Sequence, residues 1–179
     1  MIDYKKLGLS IYPDYISEEE HKLLISEIEH ELSLSNQPKY IDRNKVLRYG
    51  NSEICANNYQ HLHIPENIKL ISTKLVDDNI LPYFPDAINI NEYLKNDFIA
   101  PHIDRVVSGK IVTILSLKSH SVMSFTSGKD RFDIDLEPKM LIQMQNSIRW
   151  HWHHEIYPVA DTRYSIVFRN KYDTGVENE

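Results

Sequence analysis

Three short patterns in this 179-residue chain carry side chains able to act together on a metal or an anion. His102 and Asp104 stand two apart, so in an extended segment they point the same way and offer an imidazole and a carboxylate to one point, which suits a metal. The segment RWHWHHEI (149–156) crowds His151, His153 and His154 together, and RYSIVFR (163–169) alternates. Its odd positions, Arg163, Ser165, Val167 and Arg169, share one strand face, and Tyr164, Ile166 and Phe168 share the other. With the aromatic and aliphatic side chains buried against helices, the two arginines face either solvent or a polar cavity inside the fold. A lone H-x-D pair says little, because nine His and thirteen Asp produce on the order of one by chance. Order and context carry the weight: Asn91-x-Tyr93, eight residues, His102-x-Asp104, the histidine cluster, then Arg163-x5-Arg169.

Composition narrows the setting for these patterns. Lys and Arg number 20 against 26 Asp and Glu, a formal charge of −6, so the whole surface is no electrostatic sleeve for nucleic acid, and a nucleic-acid role would have to be local. The five glycines form neither GxGxxG nor GxxxxGK[ST], which excludes dinucleotide and phosphate-loop sites of those kinds. Cys55 is alone, allows no intrachain disulfide and reads as a small buried hydrophobe. The start MIDYKKLGLS lacks the apolar run of a signal peptide, and no stretch approaches the roughly 20 apolar residues of a membrane span, so an intracellular chain, cytoplasmic or nuclear and without a membrane, is expected.

The elements that must position the chemistry divide the chain. Ser17 followed by Glu20 has capping-box spacing, and Leu23, Leu24, Ile25, Ile28 and Leu32 recur at helical intervals. Residues 33–46 read as loop, and a second helix is predicted from Pro65 through Val76 on Ile68, Leu70, Ile71 and Leu75. Beyond Ile80 the pattern changes to short β-branched and aromatic runs over 88–91, 110–117, 121–125, 131–136, 141–144 and 163–169, separated by hairpin-sized turns. Such spacing favours a β-sandwich or barrel over βαβ units, and the polar end TGVENE reads as a tail. The whole is an α+β arrangement, N-terminal helices bracing a sheet.

With these motifs in order, the chain resembles the AlkB-like group of iron(II)/2-oxoglutarate-dependent oxygenases. The shared pattern is N-x-Y (Asn91, Tyr93), H-x-D (His102, Asp104), W-x-H-x-I (Trp152, His154, Ile156) and R-x-[SN]-x3-R (Arg163, Ser165, Arg169). IYPDYISEEEHKLL is similar to the family's first helix, and LRYGNSE (47–53) to its segment near the substrate lid. The resemblance implies one domain over 1–179: a helical and lid region (1–85), an oxygenase core (86–172) folded as a double-stranded β-helix, or jelly roll, and a tail (173–179). It implies iron(II) held by His102, Asp104 and His154, leaving positions for 2-oxoglutarate and O2. Arg163 with Tyr93 would hold the distal carboxylate of 2-oxoglutarate, and Arg169 with Asn91 its C1 carboxylate, Ser165 lying between them. His151 and His153 stay open as alternatives to His154, since in an extended segment those two share the face opposite to it.

Arg48, Tyr49, Arg105 and Trp152 are the substrate-facing candidates by resemblance, beside readings in which Trp152 fills core and the 48–49 segment merely shapes a loop. The implied reaction is oxidative demethylation of an alkylated substrate, nucleic acid first and protein second, with no obligate protein partner. Alternatives are a hydroxylase of protein or a small molecule, and a non-catalytic metal-binding β-sandwich, for which paired arginines on one strand face would serve no purpose. The chain departs from the family where several base-directed relatives carry an acidic residue two positions after the metal-binding Asp, here Val106. Where the family has Gly three residues after the Tyr stands Asn96, which needs an unusual turn there and tolerates left-handed dihedrals.

Overall fold

The computed structural model describes residues 2–35, 45–50 and 63–171. The expectations for Cys55, most of the 33–46 loop, the end of LRYGNSE and the tail lie outside these residues. In chain order come α1 (Tyr4–Leu7), β1 (Leu9–Tyr12), α2 (Glu18–Leu34), β2 (Lys45–Gly50), α3 (Glu66–Asp77), β3 (Ala87–Tyr93) and β4 (Ile99–His102). A 3₁₀ turn (Val106–Ser108) leads to β5 (Val112–Leu117), β6 (Ser121–Ser127), β7 (Asp130–Leu136) and β8 (Leu141–Met144); α4 (Asn146–His151), β9 (His153–Ile156) and β10 (Arg163–Arg169) follow.

Among the described residues ten strands make two antiparallel sheets, a six-stranded one in the order β1-β8-β5-β10-β3-β2 and a four-stranded one in the order β4-β9-β6-β7. This is the double-stranded β-helix sandwich, with α2 and α3 packed on the outer face of the larger sheet. Its two edges, β1 and β2, come from the part of the chain read as helical. A four-residue or six-residue edge strand shows too few alternations to stand out in sequence.

Helix α2 starts as the spacing predicts: Ser17 Oγ accepts from Glu20 N–H at 3.1 Å, and the Glu20 carboxylate accepts from Ser17 N–H at 2.7 Å. Leu24, Ile28 and Leu32, four apart, are buried; Leu23, about 100° around the helix from Leu24, is 48% exposed. Helix α3 begins after Pro65, which supplies no side-chain cap. Its first amides are taken instead by Glu27 of α2, whose carboxylate accepts from Asn67 N–H at 3.0 Å and Ile68 N–H at 3.1 Å. Asn96 has φ 70°, the left-handed turn expected of it.

Alternation in β10 sorts the molecule into two cores. Tyr164, Ile166 and Phe168 join Leu24, Ile28, Ile68 and Leu75 beneath the helices, whereas Val167 joins Ile114, Met123, Phe125 and Ile156 between the sheets. Arg163, Ser165 and Arg169 therefore point into the sandwich interior, the cavity alternative and not the solvent one.

Candidate metal and carboxylate site

His102 ends β4 directly opposite His154 of β9, so strand pairing sets the two imidazoles side by side with ring centres 4.3 Å apart. Asp104 follows two residues beyond the strand, and one ligand atom from each of His102, Asp104 and His154 lies within 4.8 Å of the others. His102 Nδ1 is 2.9 Å from the Ala100 carbonyl. A carbonyl only accepts, so Nδ1 carries the proton and Nε2, 4.0 Å from Asp104 Oδ1, presents its lone pair. Burial alone would push the Asp104 carboxyl up, but the Arg169 guanidinium, bonded to its Oδ1 at 2.9 Å, holds it down to about 2. Burial pushes the His154 imidazole down to about 3 against the pull of Asp104. An ionised carboxylate and an imidazole resisting protonation are the states in which these groups bind a metal. His151 and His153 are exposed; it is His154 that enters the cluster.

The cluster opens into a cavity of about 70 Å³ that extends past Asn91, Tyr93 and Ser165 to Arg163, walled by Ile114, Met123 and Leu136. Arg163 is 1% exposed, its guanidinium lies 4.9 Å from the Tyr93 ring centre, and Nη2 donates to Ser116 Oγ at 2.9 Å. Its Nε and Nη1, and Arg169 Nε, are buried without a hydrogen-bond partner. Burial lowers the Arg163 pKa, with Tyr93 opposing. A buried guanidinium with two idle donors is costly unless an anion completes it, and a carboxylate matches its fork. The residues present thus fit both groups implied by the sequence: a His-Asp-His set for a divalent metal and a cationic end suited to a dicarboxylate. Asn91 Nδ2 meanwhile donates to Ser165 Oγ at 3.1 Å.

The substrate-facing candidates separate. In the β2–β3 register Arg48 pairs with Asn89 and so lies on the interior face, whereas Tyr49 pairs with Ile88 on the helix face. Tyr49 is fully buried there, its hydroxyl donating to Glu31 at 3.1 Å, away from the cavity. Trp152 is 6% exposed and packs on Phe132 at 5.4 Å, its core-filling alternative. Arg105 is exposed at the start of the 3₁₀ turn, next to Asp104. Two residues of the site were missed. Ser116 is opposite Ser165 only through strand register. Arg149, 2% exposed in α4, belongs to a helix too short for periodicity to reveal.

No family model matches the chain. It is 29% identical to the uncharacterized protein L905 of Acanthamoeba polyphaga mimivirus, over 96% of this chain and 89% of that one. It is 26% identical to the tRNA (carboxymethyluridine(34)-5-O)-methyltransferase alkbh8 of Xenopus tropicalis and to ALKBH8 of Mus musculus, each over 84% of this chain. It spans only about a quarter of the length of those two proteins, 25% and 24%. Among solved structures, a Pseudomonas putida prolyl-4-hydroxylase superposes with TM-score 0.69 at 13% identity, covering 94% of this chain and 96% of that one. OsALKBH1 superposes with TM-score 0.68 at 15% identity, covering 91% and 98%. No helix of the described residues is long and apolar enough to cross a membrane. In fold the chain is similar to the prolyl-4-hydroxylase and OsALKBH1 structures and in sequence to the ALKBH8 proteins, which agrees with the AlkB-like resemblance carried by its motifs.

Proposed function

We propose that this chain is an iron(II)/2-oxoglutarate-dependent dioxygenase that oxidatively demethylates an alkylated substrate, nucleic acid in first place. The observation that carries the reading is the buried Arg163, with two unbonded N–H donors, at the far end of the cavity that begins at His102, Asp104 and His154. Those three would hold iron(II), which when bound activates O2 at the expense of 2-oxoglutarate so that a nearby C–H bond is oxidised. Arg163, steadied by Ser116 and Tyr93, receives the distal carboxylate. Arg169 holds Asp104 ionised and faces the same cavity, ready for the second carboxylate beside Asn91. Ile114, Met123 and Leu136 keep water from the interior wall. The mouth lies on the side of His102, whose side chain is 40% exposed, so substrate arrives there, with Arg105 and the interior-facing Arg48 as its cationic neighbours.

The tRNA-directed names of two relatives support nucleic acid as substrate. A hydroxylase of protein is the second reading, favoured by the likeness to prolyl-4-hydroxylase. Anaerobic addition of iron(II) and 2-oxoglutarate is expected to give a visible charge-transfer band, and its absence from folded protein refutes the cofactor reading. Formaldehyde release from methylated single-stranded DNA, tRNA or protein then identifies the substrate. Succinate formation without formaldehyde from any of them refutes demethylation in favour of hydroxylation.

A further inference from the structure

We infer that Arg149 is the positioning residue for Asp104, an inference that rests on the iron-site reading above. His102 and His154 need no such help, because they face each other in the β4–β9 ladder. Asp104 lies past the end of β4 and before the 3₁₀ turn, where no ladder sets its place. Its carboxylate is held by Arg169, and its main chain by Arg149.

Arg149 spends its whole fork on carbonyls of this one arch: Nη1 donates to Asp104 O at 3.1 Å, Nη2 to Arg105 O at 2.8 Å, and Nε to Gly109 O at 3.0 Å. Its guanidinium lies 4.2 Å from the Trp150 ring centre. The far end of the arch is pressed against the chain just after Arg169: Gly109 has φ 87°, and a Cβ there would collide with the Asn170 carbonyl. Arg149 itself sits five residues ahead of His154, in the helix that leads into β9. One side chain thus spans the segments carrying two ligands and sets the distance between them. A planar fork can reach three carbonyls at once; a lysine ammonium on a flexible stem holds fewer in fixed directions. The buried positive charge also helps keep Asp104 ionised.

The test is a cobalt(II) titration read from the visible d–d spectrum of the bound ion, on wild type, Arg149→Lys, Arg149→Met and Glu27→Ala. The last loosens the α2–α3 clamp far from the site and controls for lowered stability. Expected is a 10- to 100-fold weaker cobalt affinity and an altered spectrum in folded Arg149 variants, with wild-type affinity in Glu27→Ala. If folded Arg149→Lys and Arg149→Met bind cobalt within twofold of wild type, Asp104 is positioned without Arg149 and the inference falls alone. If neither folds, Arg149 is a folding determinant and the positioning role falls as well. Failure of wild type itself to bind cobalt instead overturns the iron-site reading, and this inference with it.

Discussion

Replacing Arg163 by Met separates stability from cosubstrate binding, because the two depend on this residue with opposite sign. The guanidinium is 1% exposed, donates through Nη2 to Ser116, lies against Tyr93, and leaves Nε and Nη1 without a partner. A buried charge so poorly compensated is a burden, and exchanging it for an apolar side chain of similar length is expected to leave stability unchanged or raise it by about 1–2 kcal/mol. Binding behaves otherwise. Two charge-assisted bonds from Nε and Nη1 to a carboxylate, at about 1.5–3 kcal/mol each, are lost in the variant, a total of about 3–6 kcal/mol. That corresponds to roughly 10²- to 10⁴-fold weaker 2-oxoglutarate binding. Calorimetric titration of 2-oxoglutarate into the anaerobic manganese(II) form, beside urea denaturation of the metal-free protein, measures both. Tight binding in Arg163→Met, or a stability loss above about 2 kcal/mol, refutes the reasoning, since either result means that the idle donors are not waiting for a carboxylate.

His154→Ala is expected to abolish metal binding, while His151→Ala and His153→Ala, at exposed positions, retain it in the same titration. Glu27→Ala removes the carboxylate that accepts from the first amides of α3 and is expected to cost about 1–2 kcal/mol, read from the urea midpoint at constant slope; a change under about 0.5 kcal/mol contradicts that role. His21 accepts from Lys118 N–H through Nε2, and burial lowers its pKa from the ordinary 6.5. The unfolded chain therefore takes up this proton first, so stability is full above pH 6.5 and falls as the pH drops below it. Comparing wild type with His21→Gln between pH 7.5 and 5 isolates the contribution; identical pH dependence in the two proteins speaks against it.

How much was legible follows from the range over which each signal acts. The cap at Ser17, the left-handed Asn96 and the alternation of RYSIVFR are consequences of neighbours within a turn or a strand, and each recurs in the structure as read. Leu23 and Leu70 show the limit of the same logic, because an apolar residue beside a helical stripe is not yet on it; both are exposed. In LRYG, alternation separates Arg48 from Tyr49, but only the pairing with β3 tells which of the two faces the cavity.

By itself the sequence determined which residue types were present at spacings that let them share a face: His102 with Asp104, and Arg163 with Ser165 and Arg169. Those relations need only the period of an extended chain. Tertiary structure decided which histidine of 151, 153 and 154 meets Asp104, that Ser116 steadies Arg163, and that Arg149 grips the arch after β4. Strand order, register and the closing of one sheet over the other set these contacts, and they join residues from 45 to 52 positions apart along the chain. No local spacing can encode such a distance; it exists only once the two sheets have packed.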